Sequence, residues 1–242
     1  MTMGGVRLVE HPDKQSLSDA VGARLVTALV DAQSRRGVAR LVLTGGSMGS
    51  AVLASAATTP GRSAVDWTRV EVWWGDERYL AAGDPDRNDV QNDEAGLSGL
   101  GLVPRNVHRV AGPDLSASAE ESAAAYAGTL ADVDAFDVVL LGVGPDGHVA
   151  SLFPGHPAQL TEGDTVAVHD SPKPPPTRVS LTASRLCRSR QVWFLVAGRD
   201  KAGAVTDGLE LAAADRSSAA LVMGTEATLW LVDRDAAEGV TA

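Results

Sequence analysis

Residues 140–155 read "LLGVGPDGHVASLFPG", an apolar run that halts at three glycines, an aspartate and a histidine. The letters "GVGPDG" (142–147) satisfy G-x-G-x-x-G behind a strand, and Asp170, 23 residues past Gly147, stands where a ribose-binding acid belongs. A dinucleotide fingerprint, however, opens a helix of several turns. Here Pro154 and Pro157, with Gly155 between them, interrupt a helix within two turns, and Pro145 and His148 crowd the place of a pyrophosphate. The other reading is a tight turn that presents His148. An imidazole with an ordinary pKa near 6.5 is a competent base at neutral pH, and Asp146 is close enough to orient the ring or stabilise its cation. A turn histidine satisfied by backbone groups is the purely structural option.

Outward from this turn the pattern alternates. Strands are expected at 6–10, 38–43, 70–74, 136–142, 165–170, 178–182, 191–198 and 228–233. Between them, helical periodicity covers 16–37, with Ser16 as N-cap and Gly37 as stop, then a short helix after "TGGS" to about Ala57, and helices over 116–131 and about 200–214. A long polar segment, 75–89, follows the third strand, and "SPKPPP" (171–176) reads as a stiff extended connector. Apolar strands alternating with helices predict an α/β fold: one domain over 1–242, with a mostly parallel sheet covered by helices on both faces. Ligands in such folds bind beyond the carboxyl ends of the strands, which directs attention to the residues just after 43, 74, 142, 182 and 198.

Composition narrows the classes of partner. With 44% hydrophobic residues the chain has enough material for a core, and a net charge of −10 argues against nucleic acid or an anionic membrane. An anionic substrate would require a local cluster of cations. The single cysteine, Cys187, rules out an internal disulfide and fits a reducing cytoplasm. The start "MTMGGVRLVEHPDK" lacks the basic and apolar regions of a signal peptide, so a soluble cytoplasmic protein is expected. No two of the five histidines stand at i, i+3 or i, i+4, so a dedicated metal site is not expected.

Several strand ends carry chemistry. "LTGGSMG" (43–49) follows a strand and opens a helix, so its backbone N–H groups suit a phosphate; a tight turn needing glycine is the bland alternative. The same letters fit G-x-S-x-G, with Ser47 as nucleophile, but only one or two strands precede it and no oxyanion loop lies upstream. "WWGDERYL" (73–80) places Asp76, Glu77 and Arg78 past a buried strand, and "TRVSLTASRL" (177–186) and "LVAGRDKAGAV" (195–205) supply Arg178 and Lys201. Single exposed cations are ordinary surface; cations converging with a glycine turn at strand ends point to an anion site.

Taken together, "LTGGS", "WWGDER", "DPDRND" (84–89), "LLGVGPDGHVASLFPG", "TRVSLT" and "AGRDKA" (197–202) resemble the 6-phosphogluconolactonase family along nearly the whole chain. The resemblance implies a modified Rossmann-like fold shared with glucosamine-6-phosphate deaminase and ribose-5-phosphate isomerase. It also implies hydrolysis of a phosphorylated sugar lactone in the oxidative pentose phosphate pathway, with no cofactor. By the same resemblance, Thr44, Gly45, Gly46 and Ser47 would line a phosphate turn, and Arg78, Arg178 and Lys201 would meet the phosphate. His148 would be the base with Asp146 beside it, and Asp76 and Glu77 would line the sugar end. Two departures concern the rim: Arg87 stands where many relatives carry serine, and "SSAALV" (217–222) lacks a usual proline. The related deaminases continue the turn into a Phe-Asn-Glu-Pro run, and "ASLFPG" offers no such acid. A non-catalytic sugar-phosphate sensor is a further alternative, though nothing in this acidic chain suggests the DNA-binding segment such regulators carry.

Overall fold

The computed structural model describes residues 5–240, so the outermost residues of the expected 1–242 unit, including the first four of the opening stretch, lie outside the described residues. Six strands form one parallel sheet: β1 (Gly5–His11), β2 (Ala39–Leu43), β3 (Val70–Trp74), β5 (Phe136–Gly142), β8 (Ser189–Val196) and β9 (Ala227–Asp233). Their spatial order is β1-β9-β8-β5-β2-β3. Alternate residues of the central strands face opposite layers, which explains their nearly continuous apolar runs. Leu41, Leu43, Val138, Leu140, Trp193 and Leu195 pack with α1 (Lys14–Arg36) and α2 (Gly46–Thr58). Val42, Val139, Leu141, Val192 and Phe194 face the other layer, which includes Tyr126 of α4 (Ala119–Gly128) and Val205 of α6 (Ala202–Leu209).

Two expected strands belong elsewhere. β7 (Arg178–Leu181) pairs antiparallel with β6 (Thr165–Val168) on one side and with β4 (Asp76–Arg78) on the other, forming a separate three-stranded sheet. The nine residues 169–177 between β6 and β7 are too few for the crossover that parallel neighbours need. β6 also stops at Val168, and Asp170 takes a left-handed φ of 52°. β4 and a short helix, α3 (Asn88–Glu94), arise within the segment read as polar loop.

Helix ends differ in detail. Asp13, not Ser16, caps α1, accepting the Ser16 N–H at 2.7 Å, while Gly37 ends it in the left-handed conformation at φ 76°. The helices expected over 116–131 and 200–214 are confined to α4 and α6, and a short helix, α5 (Ala183–Cys187), follows β7. Gly75 joins the sheets: its N–H donates to Leu43 O at 2.9 Å and its carbonyl accepts the Leu181 N–H at 2.8 Å.

Candidate active site

A cleft of about 270 Å³ opens beyond the carboxyl ends of β2, β5 and β8 and against the small sheet. On one side the chain leaves β2 through Thr44 and Gly45 and enters α2 at Gly46 and Ser47, all four lining the cleft. A Cβ on Gly45 would lie 1.8 Å from the side-chain oxygen of Asn88, and Gly46 takes φ +75°, so both glycines are required by shape. Among the described residues no side chain caps α2, which leaves its first N–H groups available to an anion. Among the described residues Ser47 has no histidine partner; His148 is paired with Asp146.

The turn after β5 settles the opening question of the sequence. Gly144 N donates to His148 O at 3.0 Å and Gly147 N to Gly144 O at 2.9 Å, with Gly147 at φ +77°. Val149 then makes isolated bridges to Val143 and Leu152 where a dinucleotide motif would start a helix. His148 is displayed at the mouth of this turn, its ring stacked on Phe153 at 4.6 Å and its side chain 16% exposed. Nδ1 lies 2.6 Å from Asp146 Oδ1. Burial opposes charge on both partners. For His148 it wins, holding the imidazole below its usual pKa although Asp146 pulls the other way. For Asp146 the bond from His148 and the nearby Lys173 outweigh burial and hold the carboxyl below the ordinary range. A neutral imidazole facing a carboxylate carries its proton on Nδ1, which leaves the Nε2 lone pair free. Pro145 has no N–H and those of Gly144 and Gly147 are engaged, so within the turn Asp146 and His148 remain the backbone donors for an oxyanion.

The small sheet delivers the rest. Asp76 is buried and accepts from Ser151 Oγ at 2.6 Å, while Asn88 Nδ2 donates to its carbonyl at 2.8 Å. Arg78 lines the cleft, bonds Asp86 O through Nη1, and has a buried Nε without a partner among the described residues. Lys201, also lining the cleft, donates to Ala197 O at 3.1 Å.

One expected position is corrected. Glu77, 1% exposed, does not line the cleft. Its carboxylate accepts the N–H groups of Arg78 at 2.8 Å, Asn88 at 2.7 Å and Asp89 at 2.9 Å, so it caps α3 from β4 and shapes the intervening loop. Burial and the charge of Asp89 push its carboxyl upward, and Arg87 opposes them. Arg178 does line the cleft, yet its guanidinium is already engaged: Nε donates to Pro175 O at 3.2 Å, and Nη2 to Lys173 O and Pro174 O at 3.1 and 3.2 Å. Its Nη1 stands 3.5 Å from Ser151 Oγ and 3.7 Å from Asp76 Oδ2. The arginine anchors a strap more than it offers a free fork, because it sits at the start of β7 and not beyond its end.

Lys173, Asn88 and Ser151 are cleft or cleft-support residues outside the expected site set. Asn88 was visible as part of "DPDRND"; Lys173 lay in a segment read only as a connector. Arg87 is buried and pairs bidentately with Asp89 at 2.9 and 3.0 Å, taking it out of the rim. No group of three or more His, Cys, Asp or Glu side chains among the described residues is placed to hold a metal ion.

Residues 12–230 match the family described as glucosamine-6-phosphate isomerases/6-phosphogluconolactonase. The chain is 49% identical over 243 residues to a 6-phosphogluconolactonase of Streptomyces coelicolor, covering 96% of this chain and 93% of the relative. Among solved structures, a 6-phosphogluconolactonase from Trypanosoma brucei superposes with a TM-score of 0.85 at 26% identity, over 98% of this chain and 100% of the other. A monomeric glucosamine-6-phosphate deaminase reaches 0.81 at 18% identity, over 96% and 98%, which speaks for the fold alone.

Proposed function

The chain belongs to the glucosamine-6-phosphate isomerase/6-phosphogluconolactonase family, and from that premise we propose that it hydrolyses 6-phospho-D-glucono-1,5-lactone to 6-phospho-D-gluconate. The observation that carries the reading is the His148–Asp146 pair, 2.6 Å apart, at one side of a cleft whose other walls hold the α2 N-terminus, Arg78 and Lys201. The phosphate binds at that cationic end and its binding energy orients the lactone carbonyl toward Nε2 of His148. Neutral His148 takes a proton from water as the water oxygen attacks the carbonyl, while Asp146 holds the developing imidazolium. The N–H groups of Asp146 and His148 face the oxyanion, and the imidazolium returns its proton to the ring oxygen as the ester bond opens. Asp76, fixed by Ser151 and Asn88, accepts from a sugar hydroxyl between the two ends.

The shared fold serves the deaminases too, so the residues decide. After His148, the stretch Val149–Phe153 is apolar apart from Ser151, whose hydroxyl is engaged with Asp76, and no acid stands there to assist ring opening. Cys187, its thiol bonded to Leu221 O at 3.2 Å, fits a reducing cytoplasm, and the net charge of −10 speaks against nucleic-acid or membrane partners.

The test is lactone decay followed by NMR, with 6-phosphogluconolactone generated in situ from glucose 6-phosphate by its dehydrogenase. Fast decay with the wild type and loss of roughly 10²–10⁴ in kcat with His148→Ala is the expected result. Decay no faster than the enzyme-free blank would overturn the lactonase reading and make glucosamine 6-phosphate the next substrate to try.

A further inference from the structure

The strap "SPKPPP" (171–176) joins the small sheet to the base, and its one charged side chain is unassigned. The strap is closed on itself: Ser171 N donates to Pro176 O at 3.0 Å, and Ser171 Oγ donates to Lys173 O at 3.0 Å. Arg178, itself buried, gathers the carbonyls of Lys173, Pro174 and Pro175. The Lys173 backbone is therefore held from two directions, and its side chain reaches into the cleft. There Nζ lies 3.3 Å from Asp146 Oδ1, the same oxygen that faces His148, and 3.2 Å from His148 Nδ1.

An ordinary surface ion pair contributes little, because two flexible side chains must be immobilised in water. This contact differs in its base and its target. The lysine is mounted on a loop fixed by a buried arginine, and it meets a carboxylate already committed to an imidazole that is itself mostly buried. We propose that Lys173 is a positioning residue of the hydrolytic site, dividing the Asp146 carboxylate with His148 and so setting how strongly the imidazole is drawn toward its protonated form. The inference rests on the reading of His148 as the base.

The electrostatics support that geometry. The charged groups facing the ring are Asp146 from its own turn, Lys173 from the strap and Asp76 from β4. Burial lowers the imidazole pKa most; Asp146 and Asp76 raise it, and Lys173 lowers it. Without that counter-charge, the pull of Asp146 toward the imidazolium would be opposed by burial alone. Lys173 limits that pull while keeping Asp146 ionised and aimed at Nδ1. Arg178 acts one step further back, through the strap carbonyls.

The experiment is an NMR pH titration of the His148 ring in the resting protein, its resonance assigned by its loss in His148→Gln. Lys173→Met should raise the midpoint by roughly 0.5–1 unit, while Lys173→Arg keeps it near the wild-type value. The acid limb of kcat/KM should move with the midpoint in each variant. An unchanged or lowered midpoint in Lys173→Met would overturn the proposal. The lysine side chain is 42% exposed, so its replacement leaves the core intact. Because the titration needs no substrate, it answers even if the wild type fails to hydrolyse the lactone, a failure that would count against the functional reading alone.

Discussion

Gly144 leaves no room for a side chain, since a Cβ there would lie 2.1 Å from the His148 ring and 2.4 Å from Asp146 Oδ1. Gly144→Ala should therefore push the pair apart without touching the core. A displacement of about 1 Å at a reacting group costs on the order of 10²-fold in rate, and we expect that loss in kcat with an unaltered far-UV spectrum. The neighbouring acid makes a separate prediction. Burial keeps the His148 pKa below 6.5, so the base form persists into mildly acidic solution and kcat/KM should fall only as pH drops through that lowered value. Asp146 raises the pKa, hence Asp146→Asn should shift the limb further to acid as well as lower kcat; a limb that moves toward neutral would contradict the assignment. The direction is opposite to that expected for Lys173→Met, so the two charges can be told apart by pH profile alone.

The β4–α3 segment shows how an element forms where periodicity is silent. β4 has three residues, each charged, and its neighbours in the ladder are Ser180, Val179 and Arg178. Its stability comes from tertiary pairing and from the Glu77 carboxylate binding the first N–H groups of α3. Arg87 closes the same unit, donating to Asp89, Leu80 O and Val110 O. Arg87→Ala leaves the buried Asp89 carboxylate with Arg109 as its remaining cation and removes a donor from two carbonyls, and should destabilise the fold by about 3 kcal/mol in urea unfolding, with kcat falling further if the Asn88 position shifts. The six parallel strands were legible because burial on both faces writes apolar runs into the chain. So were the glycine turn after β2 and the histidine turn after β5, where glycine is required by shape. β4 and the antiparallel pairing of β6 with β7 were not: charged residues erase the strand signal, and apolar residues such as Val179 and Leu181 look alike in either sheet. Lys173 was hidden for a related reason. A proline-rich stretch announces stiffness, but only Arg178 folding back onto its carbonyls reveals where it points.

Across the whole molecule, a chain of net charge −10 concentrates cations at one place. Arg78, Lys173, Arg178 and Lys201 line the cleft with Asp76, and Asp146 stands beside it paired with His148, so positive groups outnumber negative ones there. These groups come from both sheets, and the sheets share a core in which Val179 and Leu181 pack with Val42 and Phe194. Gly75 bonds to both as well, through Leu43 and Leu181. Such coupling should make residues 1–242 unfold as one unit, giving a single calorimetric transition. Occupying the cleft should then raise that transition as a whole. At 100 times its Kd, 6-phosphogluconate contributes about 2.7 kcal/mol, which for a chain of this size corresponds to roughly 5–10 °C in Tm. Lys201→Ala should weaken the response at the same ligand concentration and raise KM more than it lowers kcat, because in the proposed binding mode it removes a cation from the end of the substrate that does not react. Gluconate, lacking the phosphate, should leave Tm unchanged. Two transitions, with only one moved by the phosphorylated ligand, would mean that the small sheet folds apart from the large one. The cleft would then be assembled by docking two units, and the strap from β6 to β7 would be the element to follow next.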